Sequence, residues 1–200
     1  MTKIVAITNI TLDGVMQAPG AADEDTRGGF QHGGWAVPYN DPVMAQVMGE
    51  GMAKGMPLLF GRRTYESFFA YWPNQRDNPY TEVLNKAQKY VVSRTLDEPL
   101  PWQNSMLLKG EAAETVAQLK EEPGDEIGIL GSGELVRSLM PRNLIDEYQL
   151  LIHPLVLGSG HRVFPEGTSM PLQLVNTVTT TTGVIIVTYR PASTTHRPAP

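Results

Sequence analysis

Cysteine is missing from the 200-residue chain, which excludes a disulfide framework, a thiolate zinc site, an iron–sulfur cluster and a cysteine nucleophile. Long apolar runs are missing too. The stretch from Ile4 to Ile7 breaks off at Thr8 and Asn9, shorter than a signal-peptide core or a spanning helix needs, so a soluble cytoplasmic protein is expected. Basic charge is scarce: 16 Lys+Arg stand against 21 Asp+Glu, a formal net charge of −5. The broad cationic face that nucleic acid or an anionic membrane requires is therefore not expected. His153 and His161 are separated by a proline and two glycines, not by a spacing that puts two imidazoles on one metal. Both read as structural, and no metal site is expected.

What is present suits one globular domain with a sizeable core: 41% of residues are hydrophobic, 18% charged and 8% aromatic. Residues 3–11 are β-branched and run to the turn signal Asp13-Gly14, which predicts a strand entering a loop. The loop spans 12–39, rich in Gly, Asp and Ala without a sustained period, as active-site lids are. Asp41 before Pro42 is an N-cap and first-turn pair, and Val43, Met44, Val47, Met48 and Met52 recur at helical spacing. A short strand over 57–60 then passes through Gly61-Arg62-Arg63-Thr64 into a helix whose apolar face is Tyr65, Phe68, Phe69 and Trp72. A brief helix over 81–86 leads to strands over 89–95 and 106–108. A helix from Ala112 stops at Pro123-Gly124, and a strand over 126–130 opens on Gly131-Ser132-Gly133 before a short helix closed by Pro141. The end of the chain is strand-rich: 147–153, then a hairpin of 172–178 and 184–190 folded near Thr182-Gly183.

This order predicts a single α/β domain over 1–190, with a mainly parallel central sheet, helices on both faces and an antiparallel C-terminal hairpin. Residues 191–200 (PASTTHRPAP) read as a disordered tail.

Three strand-to-helix or strand-end turns carry groups suited to phosphate. Gly131-Ser132-Gly133-Glu134-Leu135 is either a tight turn or a cradle of backbone N–H groups for a diphosphate. Gly61-Arg62-Arg63-Thr64 is either a pair of solvated arginines or an anion site, since cations near a positive helix end make most sense when an anion joins them. Ser93-Arg94-Thr95 supplies a third donor set. One diphosphate cradle and two Arg-bearing turns together suggest NADPH over NADH.

These motifs, with Leu12-Asp13-Gly14, Gly33-Gly34-Trp35 and His153-Pro154-Leu155-Val156-Leu157-Gly158-Ser159-Gly160, resemble the dihydrofolate reductase-like proteins related to the C-terminal reductase domain of bifunctional riboflavin biosynthesis enzymes. The resemblance covers about residues 3–190 in consistent order. It implies a dihydrofolate reductase-like fold holding NADPH. Arg62, Arg63 and Thr64 match the turn that grips the adenosine-side phosphates, Ser93 and Arg94 the ribose 2′-phosphate site, and Gly131 to Leu135 the diphosphate turn. Ala6 and Ile7 match the strand end beside the nicotinamide carboxamide, and Gly14 and Val15 the loop beside its ring. Trp35 is similar to the tryptophan at the inner end of the mobile loop, and Asp13 is a polar group near the ring; both are taken as substrate-side residues. Folate reductases present one carboxylate to the pterin, and by position Asp41 is its counterpart, either as a catalytic acid or as the helix cap already read. The zinc deaminase half of the bifunctional enzymes is excluded by the lack of cysteine. The resemblance implies a stand-alone NADPH-dependent reductase acting on a C=N or C=O carbon of a small heterocyclic or ribosylamino substrate, paired as a homodimer through its strand-rich end. The alternative is a non-catalytic nucleotide-binding paralogue acting as a sensor.

Overall fold

A sheet of eight strands organises the computed structural model, which describes residues 1–192. In chain order the strands are β1 (Lys3–Thr11), β2 (Leu58–Gly61), β3 (Lys89–Ser93), β4 (Ser105–Lys109), β5 (Glu126–Leu130), β6 (Glu147–His153), β7 (Leu172–Thr179) and β8 (Ile185–Pro191). The helices are α1 (Pro42–Ala53), α2 (Arg62–Tyr71), α3 (Pro79–Lys86), α4 (Ala112–Glu121) and α5 (Gly133–Leu139). The sheet order is β4-β3-β2-β5-β1-β6-β8-β7. Pairing from β4 through β6 is parallel, and β8 and β7 join antiparallel.

Central β1 shows why both faces are covered. Successive side chains of a strand point to opposite sides. Ile4, Ala6 and Ile10 belong to a core with Val116 and Leu119 of α4 and Leu135, Val136 and Leu139 of α5. Val5 and Ile7 belong to another with Met44 of α1, Tyr65 of α2 and Leu84 of α3. A strand apolar on both faces has to sit inside a helix-covered parallel sheet, and β1 does.

The structure departs from the sequence reading at three places. Strand β3 ends at Ser93, because the Ser93 hydroxyl oxygen accepts from the N–H groups of Thr95 (3.1 Å) and Leu96 (3.0 Å) and turns the chain. The 12–39 loop is packed: Val15, Ala18, Phe30, Trp35 and Ala36 form a small core of their own. Gly160 makes that packing possible, since at φ +113° a Cβ there would lie 2.7 Å from Phe30 and 2.8 Å from Val15. Finally, β8 runs through Pro191, and Ala192 N–H donates to Pro171 (2.9 Å). The rest of the expected tail, 193–200, lies outside the described residues. Among the described residues no helix is long and apolar enough to cross a membrane.

Candidate active site

Parallel strands end at a common edge, and there β1, β2, β3 and β5 open two adjoining cavities of about 560 and 390 Å³. Arg63, Thr64, Ser132 and Gly133 line both, so the two form one groove. Ligands of open α/β sheets bind at this edge.

Each of the three turns singled out in the sequence reaches the groove. Gly61 to Thr64, Ser93 to Thr95 and Gly133 to Leu135 line the smaller cavity, while Gly131 lines the larger. The β5 turn is left-handed at two consecutive residues, Gly131 (φ +65°) and Ser132 (φ +50°). Such a conformation suits glycine at the first position, and the Gly131 N–H donates back to the Ile7 carbonyl at 3.4 Å. Ser132 then fastens two turns together: its hydroxyl accepts from Gly61 N–H at 3.1 Å. The arginines are exposed and held by carboxylates, Arg62 by Glu66 (3.4 Å) and Arg94 by Glu111 (2.8 Å).

Away from these turns the larger cavity is walled by Ile7, Thr8 and Asn9 of β1, Met48 and Met52 of α1, and Phe68 of α2. Thr8 is 2% exposed and its hydroxyl finds no hydrogen-bond partner among the described residues. Buried polar groups are normally paired, so this hydroxyl, closed off from the cavity's open space, is an exception.

Other expected site residues do not line the groove. Ala6 is fully buried in the core. Gly14 and Val15 serve the loop: Gly14 takes a left-handed turn, and Val15, fully buried, bridges Arg162. Asp13 anchors that loop. Its carboxylate accepts from the Thr11 hydroxyl (2.5 Å) and from the N–H groups of Leu157 (3.2 Å) and Gly158 (2.8 Å). These bonds, the Thr11 hydroxyl foremost, hold its carboxyl down at about 2. Trp35 is buried, donates from Nε1 to the Gln17 carbonyl (2.7 Å) and meets the His153 ring edge-on at 5.1 Å. Trp35 thus builds the loop's base and is no part of the cavity wall. His153 itself is fully buried, with Nδ1 2.9 Å from the Leu151 carbonyl.

Asp41 lies outside both cavities. Oδ1 accepts from Met44 N–H (2.8 Å), capping α1, and Oδ2 accepts from Thr181 N–H (2.6 Å) and the Thr181 hydroxyl (2.8 Å), pinning the β7–β8 turn. The cap bond to Met44 leads the causes that hold this carboxyl at about 2. The geometry thus shows Asp41 in the capping role, away from both cavities.

The sequence reading missed Thr8, Asn9, Met48, Met52, Phe68 and Arg27. Two polar residues closing an apolar strand were a usable signal for Thr8 and Asn9, and the helical spacing of the methionines showed a face but not what it faced. Arg27 carried no signal: it is a single cation in a glycine-rich loop. In the structure its Nη1 donates to Glu134 Oε1 at 2.6 Å, and Arg63 Nη1 donates to that same oxygen at 2.6 Å. The hydrogen bond from Arg27, with the charges of Arg63 and Arg137 nearby, holds the Glu134 carboxyl below the usual carboxylate range. Only the backbone of Glu134 is suited to an anion. Its side chain has the wrong sign.

Among known protein families, the RibD C-terminal domain matches residues 2–186. The chain belongs to the RibD C-terminal domain family. Two relatives in Bacillus subtilis (strain 168), both uncharacterized, share its sequence: YyaP, 33% identical over 138 residues, and YwjB, 34% identical over 112. The matches cover 66% of this chain and 72% of YyaP, and 56% of this chain and 60% of YwjB. Among solved structures, a Shewanella sp. PV-4 protein provisionally named for riboflavin biosynthesis superposes with a TM-score of 0.70 at 25% identity, covering 96% of this chain and 100% of that one. A pyrimidine reductase-like protein from Corynebacterium diphtheriae gives 0.62 at 12% identity over 96% and 92%, a likeness of fold alone. RibD C-terminal membership places the groove in a family of reductase type.

Proposed function

We propose that the chain is an NADPH-dependent reductase whose cofactor lies along the groove, with hydride transfer to a C=N or C=O carbon in the larger cavity. The observation that carries this reading is the convergence of three donor-bearing turns on one groove at the carboxyl edge of a parallel sheet. The residues fit a dinucleotide. Backbone N–H groups of Ser132 and Gly133 and those at the start of α2 suit the diphosphate, while Arg62, Arg94 and Thr95 suit a ribose phosphate. Bound there, NADPH supplies the hydride, so the protein's own share is orientation and exclusion of water.

Met48, Met52 and Phe68 give the substrate end an apolar wall suited to a flat heterocycle, and Asn9 offers it hydrogen bonds. With Asp41 fixed as a cap, the proton that accompanies reduction comes from water admitted to the cavity or from the substrate itself.

The test is a calorimetric titration with NADPH and NADH of the wild type, Arg62→Ala and Arg94→Ala. We expect a preference for NADPH, reduced about tenfold or more in one of the two variants, the loss of one charge-assisted contact to a phosphate. Binding of neither nucleotide to the wild type would overturn the reading.

A further inference from the structure

Arg27 belongs to the 12–39 loop, yet its guanidinium is tied to Glu134 at the start of α5 and, through it, to Arg63 at the start of α2. One oxygen, Glu134 Oε1, accepts from Arg27 Nη1 and Arg63 Nη1 at 2.6 Å each. Asp25 fills the remaining fork of Arg27, accepting from Nε at 2.8 Å and from Nη2 at 2.6 Å. The result is a chain of alternating charge, Asp25, Arg27, Glu134, Arg63, strung where the two cavities join. Arg27, Arg63 and Glu134 line both of them.

Two features mark this chain as exchangeable rather than structural. Three of its four members are exposed, with side-chain accessibilities of 42% for Arg27, 55% for Arg63 and 59% for Glu134, while Asp25 is half-buried at 22%; exposed pairs contribute little to stability. A single carboxylate oxygen also serves two guanidiniums from different segments. Two arginines converging on one oxygen form a geometry that a phosphate, with more oxygens and more charge, satisfies better.

We infer that Glu134 is a stand-in anion that latches the loop to the groove until a dinucleotide's diphosphate displaces it, whereupon Arg27 becomes a loop-borne ligand of that diphosphate. The inference rests on the dinucleotide reading above and adds a residue and a device to it. Nucleotide entry breaks the Arg27–Glu134 pair and replaces it with an Arg27–phosphate pair, so loop position and cofactor occupancy are coupled through one side chain.

Two experiments separate this inference from the reading beneath it. In the first, NADPH is titrated into the wild type, Glu134→Gln, Arg27→Gln and the double variant. Glu134→Gln removes the competitor and should tighten binding about fivefold, whereas Arg27→Gln should weaken it about tenfold. The gain from Glu134→Gln should shrink when Arg27 is already gone. Unchanged or weaker binding by Glu134→Gln, or wild-type affinity in Arg27→Gln, overturns the proposal. In the second, nucleotide-free protein is digested with thermolysin, and cleavage within 12–39 is followed by mass spectrometry. Glu134→Gln should be cut several-fold faster than wild type, and NADPH should protect the wild-type loop. Equal cleavage of the two proteins overturns the latch, whatever binds. Faster cleavage in a protein that binds no nucleotide keeps the latch and overturns the dinucleotide reading.

Discussion

The two edges of the sheet use similar residues to opposite ends. At the amino edge, Lys89 and Asp146 are each held by several partners. Lys89, wholly inaccessible, opens β3 by donating from Nζ to the carbonyls of Leu84 (2.7 Å), Ala87 (2.7 Å) and Asn85 (3.3 Å), with Nζ 4.6 Å from the centre of the Trp102 ring. Asp146 accepts from Ile4 N–H at 2.7 Å and from the Lys120 ammonium. At the carboxyl edge Arg62, Arg63 and Arg94 are exposed, and each is paired with a single carboxylate. Polar groups with no spare bonding capacity stabilise a fold, whereas those with exchangeable partners bind ligands. The difference lies in burial and partners, not in residue type.

Lys89→Ala tests the comparison hardest. Leu84 and Ala87 carbonyls at the end of α3 would lose their buried donor, and the lysine stem its packing on Trp102, at a cost of about 3 kcal/mol in urea unfolding. Arg63→Ala should move the same measurement by less than about 0.5 kcal/mol. Equal losses would break the distinction between the edges. Burial pushes the Lys89 ammonium down to about 8. An unfolded lysine titrates near ~10.4, so over that window the unfolded chain holds more protons and Lys89's contribution to stability rises with pH. The gap between wild type and variant should therefore widen from pH 8 to pH 10.

Most of the fold was legible because its signals are local. Period-two and period-3.6 patterns, the Asp41-Pro42 cap and the Pro123-Gly124 stop depend on neighbours in sequence, and the elements fall within a residue or two of where those signals put them. The turns that line the groove were legible for the same reason, since a glycine or arginine between strand and helix is itself a local signal. What stayed hidden depends on distance in the chain. Arg27 and Glu134 are 107 positions apart, and nothing near either names the other. Asp41 was legible as a cap from Pro42, yet its bonds to Thr181, 140 positions away, were not. Trp35 and Asp13 were read as substrate-side residues because a loop's packing against residues 155–162 leaves no periodic trace.

That packing is itself testable at Gly160, where backbone and space both demand glycine. At φ +113° a side chain is strained, and a Cβ would lie 2.7 Å from the Phe30 ring. Gly160→Ala should cost about 2 kcal/mol in thermal unfolding and should speed thermolysin cleavage within 12–39. Should cleavage stay at the wild-type rate while stability falls, the loop would be held by its charged latch rather than by its small core, which sharpens the contrast between the edges.

The smallest effect expected is the most specific. Asp41 and Asp13 both sit at about 2, held there chiefly by the Met44 N–H and the Thr11 hydroxyl respectively. Each folded value lies below that of an unfolded aspartate near ~3.9, so each group's contribution is complete above that pH and disappears as the pH falls toward 2. Asp41→Asn keeps an oxygen for the Met44 cap but loses the charge that draws Thr181, so its acid unfolding curve should be flatter between pH 4 and pH 2. NADPH affinity between pH 5 and pH 9 should not change, because Asp41 is ionised throughout and touches neither cavity. A variant whose nucleotide affinity or turnover instead gained a new pH dependence in that range would return Asp41 to the chemistry and place the proton source at the helix cap.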